Sequence, residues 1–282
     1  MVKKRIKLLL KILLTGAALY LVFNKIDTKA TWRVIQSAHM GWLLLAWLFF
    51  IVSKVFSAIR LNIYFKDIGL QIAETKNLKL YAIGMFYNLF LPGGIGGDGY
   101  KVYLLNKLHQ KPVKQLINCV LLDRGNGLAV LLWLMFALML FVNIRLDFFL
   151  SFYWLGWLGL VLLPFGFYLV MFLFFRSFMG SIPSSTGYSF LNQVLQLFSA
   201  FFILMSLGVG QQYIPYLFVF LVSSTVSVLP LTIGGVGARE LVFVLAHDYV
   251  GINENVAVAF SLLFFLVTVM TSVSGVFFKY KE

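Results

Sequence analysis

Charged residues are scarce in this sequence, because Asp, Glu, Lys and Arg make up 12% of its 282 residues. A typical soluble domain carries about 25%. Hydrophobic residues make up 61% of the chain, and no soluble stretch is long enough to form a separate catalytic domain. The composition excludes a soluble globular fold. It predicts an all-α, polytopic integral membrane protein with a single membrane domain.

Residues that carry enzyme chemistry are also rare. Cys119 is the one cysteine, which excludes a disulfide within the chain, and the three histidines lack the spacing of a metal site. The sequence contains no nucleophile elbow, no phosphate-loop lysine motif and no paired catalytic carboxylates. Residues 94–99 fit the dinucleotide pattern G-x-G-x-x-G, but the strand that must precede it is not predicted. We therefore expect no metal, no cofactor and no catalytic residues, and interpret the protein as a non-enzyme.

Positive charge is in excess, with 23 Lys and Arg against 10 acids and a net charge of +13. Most of these bases lie near the ends of hydrophobic runs. That position is typical of topology signals and of contact with anionic lipid, and it argues against nucleic acid as a partner. Lysines near both ends of the chain predict that both termini are cytoplasmic. The expected location is the cell (cytoplasmic) membrane.

Long hydrophobic runs predict six spanning helices. The first ends near residue 23, and the others cover about 42–59, 115–142, 149–175, 188–207 and 256–278. Arg60 is placed at the end of the second helix. Two further runs, 80–91 and 219–229, are too short to span and each leads into a glycine-rich motif.

The first motif, Leu91–Lys101, interrupts a hydrophobic run with one proline and five glycines. Proline stops a helix, and glycine allows backbone conformations that a side chain would forbid. Irregular backbone is tolerated at membrane depth only inside protein or beside a wet cavity. This motif is therefore the first candidate for a functional site.

The second motif, residues 230–237, aligns with residues 92–99 and is identical at five of eight positions. One interpretation is coincidence in a glycine-rich membrane protein. The other is an internal duplication, which is common in transporters. The second interpretation predicts two inverted repeats, about 1–142 and 143–282. Each would contribute a re-entrant hairpin, and the two hairpins would enter from opposite faces.

Charges within the hydrophobic runs are expected to face the protein interior, because charge is costly at membrane depth. Asp123 and Arg124 are adjacent and point about 100° apart on a helix, so each needs a partner on another helix. The candidate partners are Asp98, Lys101, Arg239 and Glu240. Two interpretations remain open at this point. The charges form a salt-bridge network that fixes the fold, or they line a polar cavity that holds a charged headgroup.

Helices that begin after the two motifs would present free backbone N–H groups and a positive dipole end. Together with Lys101, Arg124 and Arg239 these groups favour an anion such as a lipid phosphate. The alternative role of the glycines is close helix packing, and both roles are compatible. The candidate substrate-binding residues are Asn88, Gly93, Gly94, Gly96, Gly97, Asp98, Lys101, Asp123, Arg124, Gly234, Gly235, Gly237, Arg239 and Glu240.

Three motifs in order carry a family resemblance over nearly the whole chain. They are Asn88-x3-Pro92-Gly93-Gly94-x-Gly96-Gly97-Asp98-x2-Lys101, then Asp123-Arg124-x2-Gly127, then Pro230-x2-Ile233-Gly234-Gly235-x-Gly237-x-Arg239-Glu240. This pattern resembles the lysylphosphatidylglycerol synthase transmembrane family, the flippase-like domain of multiple peptide resistance factors. Lys101 stands where the family often has Arg, which keeps the charge but loses the bidentate fork.

The resemblance implies a lipid flippase-like architecture. In two-domain members this part moves aminoacylated phosphatidylglycerol between leaflets, and a separate soluble domain makes that lipid. The sequence ends at Glu282, just after the last predicted helix, so we expect a stand-alone member without the synthase domain.

Three functions follow as hypotheses. The first is a transporter that moves a phosphate-bearing lipid, aminoacylated or glycan-linked, between leaflets. The alternative is a membrane subunit of a lipid- or envelope-modifying enzyme of the phosphatidylglycerol lysyltransferase type, working with a separate soluble partner. The third is a structural scaffold. The expected partner is a membrane lipid with an anionic phosphate headgroup, and homo-oligomerisation is left open.

Overall fold

The computed structural model describes residues 16, 20–22, 24, 27–90, 94–144, 153–228 and 237–280. This part of the chain is α-helical and contains no β-strand. Its helices are α1 (Thr28–Gln36), α2 (Met40–Asp67), α3 (Glu74–Phe90), α4 (Gly96–His109), α5 (Val113–Met139), α6 (Tyr153–Phe174), α7 (Ile182–Ser206), α8 (Tyr213–Val228), α9 (Ala238–Val250) and α10 (Glu254–Val273). Short 3-10 turns, Arg176–Ser181 and Ser274–Phe277, precede α7 and follow α10.

Five helical segments are long and apolar enough to cross a membrane. They are Met40–Asp67, Val113–Met139, Tyr153–Phe174, Arg176–Ser206 and Glu254–Phe277. These five match the second to sixth predicted spanning helices, and the first predicted helix lies mostly outside the described residues. The prediction of an all-α multi-pass membrane protein is confirmed.

The predicted end of the second spanning helix is wrong. We expected α2 to end at Arg60, but it continues for two more turns to Asp67. Arg60 is 4% exposed, inside the protein. A cation can lie there because the Asp123 carboxylate accepts a hydrogen bond from its guanidinium at 2.7 Å. The pair of charges therefore does not mark the edge of the membrane.

Helices α2 and α7 form an antiparallel pair along their full length. Small polar side chains line this contact, which lets the two backbones approach closely. Hydrogen bonds follow the pair from one end to the other: His39 N to Ser206 O (2.8 Å), Ser57 Oγ to Asn192 Oδ1 (2.9 Å), Tyr64 OH to Ser185 Oγ (2.9 Å) and Ser181 Oγ to Asp67 Oδ1 (2.7 Å). We call the two ends of this pair the Ser206 end and the Asp67 end.

Helices α3 and α4 form a hairpin that begins and finishes at the Asp67 end. At its start, Lys66 Nζ pairs with Glu74 Oε1 at 3.0 Å. After its last helix, Lys111 Nζ donates to the Ile68 carbonyl at 3.0 Å. The end of α3 and the start of α4 therefore point into the bundle, where Asn88 and Asp98 lie beside the other helices.

Helices α8 and α9 form a second hairpin, at the opposite Ser206 end. Tyr213 OH at its start donates to Met205 Sδ at 3.2 Å, and the Asn253 N–H just after α9 donates to Tyr216 OH at 3.0 Å. The two hairpins enter from opposite ends of the bundle, as the sequence predicted. The division into two repeats stays a prediction.

Candidate functional site

A cavity of about 300 Å³ lies where the two hairpins meet the bundle. Its walls are the middle turns of α2, α5 and α7, the facing residues of α3 and α4, and the last residue of α8. The polar lining contains six charged side chains and three amides: Lys54, Arg60, Asp98, Lys101, Asp123, Arg124, Asn88, Asn192 and Gln193. Charged side chains of both signs therefore surround a space at the middle of three spanning helices.

Asp98 is the central acid of this lining. It is 8% exposed and accepts a hydrogen bond from Lys101 Nζ at 3.1 Å, within the first turns of α4. Its second oxygen accepts from Arg124 Nε on α5. One carboxylate therefore holds two cations from two helices, and the expectation that Arg124 meets a partner on another helix is confirmed.

Arg124 also closes the turn that precedes α4. Its Nη2 donates to the Gly94 carbonyl. Gly94 has φ +64°, a left-handed conformation that glycine adopts without strain. The structure therefore brings Gly94, Asp98, Lys101 and Arg124 together, and their role in substrate binding stays a prediction. Gly96 begins α4, and Gly93 lies outside the described residues.

Asp123 has a different partner from those expected. Its carboxylate binds Arg60 of α2, which was not among the four candidates. Arg60 Nη1 also donates to Ser189 Oγ on α7 at 2.9 Å, so this cation joins three spanning helices. A Cβ at Gly127 would lie 3.0 Å from Arg60 Nη1, so the glycine there leaves room for the guanidinium.

The expected free N–H groups at the start of α4 are partly occupied. Asn88 Oδ1, near the end of α3, accepts a hydrogen bond from Gly97 N at 2.8 Å. A Cβ at Gly97 would lie 1.8 Å from the Gly84 carbonyl oxygen, so the two helices of this hairpin touch backbone to backbone. Asn88 therefore caps the helix, and the close-packing role of the glycine is confirmed at Gly97.

The described residues at and just after the end of the second motif, Gly237, Arg239 and Glu240, do not line the cavity. Gly234 and Gly235 lie outside the described residues. Gly237 precedes α9 with φ +80°, and its N–H donates to Glu240 Oε2 at 2.8 Å. Glu240 Oε1 accepts from Ser261 Oγ of α10 at 2.8 Å. Glu240 therefore caps the start of its own helix. Both of its carboxylate oxygens already accept hydrogen bonds from groups of the protein.

Arg239 turns towards aromatic rings. Its Cζ lies 4.8 Å from the Phe264 ring centroid and 5.7 Å from that of Phe220. Such stacking stabilises a cation electrostatically. The described lining of the cavity includes Asp123 and Arg124 but neither Arg239 nor Glu240. The expectation that all four charges line one cavity is corrected accordingly.

Several residues of the site escaped the sequence analysis. Lys54 and Arg60 lie on α2, and Asn192 and Gln193 on α7. Asn126 extends the network, since its Nδ2 donates to Tyr64 OH at 2.8 Å and to Ser185 Oγ at 3.0 Å. The sequence could have indicated these residues. Two bases and two adjacent amides lie within long apolar runs, where polar groups are costly and often functional.

The charges of the lining do not balance. Four cations face two carboxylates, which leaves a surplus of two positive charges among the described lining residues. The structure does not describe residues 91–93, which follow α3, or residues 229–236, which follow α8. Neither segment contains a charged residue. The cavity therefore favours an anionic group.

Spanning helices, two opposed hairpins and a charged interior cavity define a multi-pass α-helical membrane protein. The sequence model of one family, described as the lysylphosphatidylglycerol synthase TM region, matches residues 8–185 and 178–275. The chain belongs to this family, which confirms the resemblance and indicates a lipid-related function in the membrane. A comparison with curated proteins gives no match.

Proposed function

We propose that this protein moves a phosphate-bearing lipid between the two leaflets of the cell membrane and is not itself an enzyme. The observation that carries the proposal is the cavity at the meeting point of the hairpins, with its surplus of positive charge. A lipid headgroup must leave water to cross the hydrocarbon, which costs several kcal/mol for each unpaired charge. A polar cavity at membrane depth lowers that cost.

The size and chemistry of the cavity suit a headgroup. Its volume of about 300 Å³ is at the low end for small-molecule sites, enough for a headgroup but not for two acyl chains. The acyl chains would remain in the surrounding hydrocarbon. The two carboxylates of the lining, Asp98 and Asp123, would keep the phosphate from being trapped, and they suit a headgroup that also carries an amine.

The orientation in the membrane follows from the distribution of lysines. The Asp67 end of the bundle carries many bases, among them Lys66, Lys76, Lys107 and Lys111. The Ser206 end carries fewer, with Lys29 and Arg33 on α1 and none in the loop 207–212. Cytoplasmic loops are enriched in Lys and Arg. We therefore assign the Asp67 end to the cytoplasm, together with both termini. The α3–α4 hairpin would then enter from the cytoplasmic face.

Native mass spectrometry of the detergent-purified protein tests recognition of the headgroup. We expect the protein to retain an anionic phospholipid, and expect added phosphatidylglycerol to displace it while diacylglycerol does not. The two lipids share their acyl chains, so the difference isolates the phosphate. Retention of neutral lipids alone, or equal displacement by the two competitors, would refute the proposal.

A further inference from the structure

Lys54 differs from the other cations in the described lining of the cavity. Arg60 binds Asp123, and Lys101 and Arg124 both bind Asp98. Among the residues that the structure describes, Lys54 makes no hydrogen bond and no ion pair. Its Nζ instead lies 4.5 Å from the centroid of the Phe50 ring, one turn earlier on α2.

An unpaired cation at this depth is costly to the fold. Lys54 lies at the middle of a candidate membrane span, and a charge without a partner at that depth destabilises a protein. The aromatic contact offsets only part of that cost. A methionine would fill similar space without a charge. The fold alone therefore gives no reason for a lysine at position 54.

A second cation without a carboxylate partner lies close by. The Phe50 ring packs edge-on against the Phe264 ring, with centroids 5.6 Å apart. The guanidinium of Arg239, on α9, lies over that same Phe264 ring. Arg239 Nη1 is buried and has no hydrogen-bond partner in the described part of the chain. Lys54 and Arg239 thus flank one aromatic pair, and both raise the positive potential on this side of the cavity.

We propose that Lys54 is the residue that contacts the phosphate oxygens of the bound headgroup. The other described cations of the cavity already form ion pairs with carboxylates of the chain. The ammonium group of Lys54 faces the cavity, and its N–H groups have no acceptor among the described residues. The phosphate would supply the negative charge that the lining lacks. This inference rests on the proposed function, because it identifies the contact within the site proposed above.

The test measures lipid binding by the purified protein, using fluorescent phosphatidylglycerol. The variants are Lys54→Met, Lys54→Arg and the matched control Lys107→Met, which removes a surface charge from α4. We expect Lys54→Met to weaken binding at least about tenfold, because the phosphate would lose a hydrogen bond from a charged donor. Lys54→Arg keeps the charge and should retain more of the affinity than Lys54→Met, and the exposed control Lys107→Met should keep the affinity of the parent protein.

Thermal unfolding of the same variants separates binding from structure. Lys54→Met should melt at the same temperature as the parent or higher, since it removes an unpaired charge. Arg60→Met should melt lower, because it leaves Asp123 unpaired. If Lys54→Met melts as low as Arg60→Met, or binds phosphatidylglycerol as tightly as the parent, the inference is overturned. In the second case the proposed function still stands.

Competition identifies the source of the phosphate. Displacement by phosphatidylglycerol but not by the same concentration of inorganic phosphate supports a lipid ligand. Equal displacement by both would retain Lys54 as a phosphate contact and assign the site to a soluble anion. A parent protein that does not distinguish phosphatidylglycerol from diacylglycerol would overturn the proposed function and this inference together.

Discussion

Replacing Gly97 by alanine is expected to disrupt the α3–α4 hairpin. The new methyl group would lie 1.8 Å from the Gly84 carbonyl oxygen, so backbone would meet backbone and no side chain could move aside. Overpacking commonly costs about 1–3 kcal/mol, and this contact falls at or above the upper value. We expect a lower melting temperature in detergent, together with loss of lipid binding, because the hydrogen bond from Gly97 N to Asn88 would break and Asp98 would be displaced.

The matched control lies two residues further along the same helix. A Cβ at Gly99 meets nothing within 4 Å. Alanine is favoured over glycine within a helix by roughly 0.5–1 kcal/mol, so Gly99→Ala should leave stability unchanged or raise it. Equal melting temperatures for Gly97→Ala and Gly99→Ala would show that the two helices are not in contact at Gly84.

The second large effect is expected from Asp98→Asn. The amide keeps the shape of the carboxylate but removes the charge that Lys101 and Arg124 share. Breaking a buried ion pair costs about 3–5 kcal/mol, because it leaves a charge without compensation. Since two cations lose their partner here, we expect a stability loss at the upper end of that range, measured by thermal unfolding in detergent.

Two further variants make this prediction specific. Asp248→Asn removes a carboxylate whose side chain is 83% exposed, and a surface change of this kind shifts stability by about 0.5 kcal/mol or less. Adding Lys101→Met to Asp98→Asn removes one of the two orphaned cations and should recover part of the loss. An Asp98→Asn protein as stable as Asp248→Asn would mean that Asp98 does not hold these cations.

The helical architecture could be predicted because hydrophobic length is a local property. Apolar runs indicated the five described spanning segments, and the breaks at the glycine motifs indicated the two hairpins. The end of α2 was missed for a physical reason. A charge inside an apolar run suggests the membrane surface only if it is unpaired, and the partner of Arg60 lies 63 residues away in the sequence.

The candidate site was predictable where its partners are close in sequence or lie within a motif. Asp98 and Lys101 were recognised because the first motif breaks a helix beside charged residues, and Arg124 because it is a charge within a hydrophobic run. Lys54 was missed because one lysine in an apolar helix gives no spacing signal. The roles of Arg239 and Glu240 could not be predicted from the sequence. The rings that contact Arg239 lie on α8 and α10, and the donors to Glu240 lie on α10 and just before α9.

The most direct test of the account is movement of phosphatidylglycerol across a membrane that contains only this protein. A fluorescent phosphatidylglycerol is placed in both leaflets of liposomes, and a membrane-impermeant reductant bleaches whatever reaches the outside. The measurement is made with and without an imposed proton gradient and membrane potential. Protein-free liposomes and liposomes with Lys54→Met are the controls.

We predict that the parent protein exposes the inner-leaflet lipid to the reductant in at least one of these conditions, while both controls protect it. A transport function would be contradicted if the inner-leaflet lipid stays unbleached for as long as it does in protein-free liposomes. This result must hold under every condition and with protein that still binds phosphatidylglycerol.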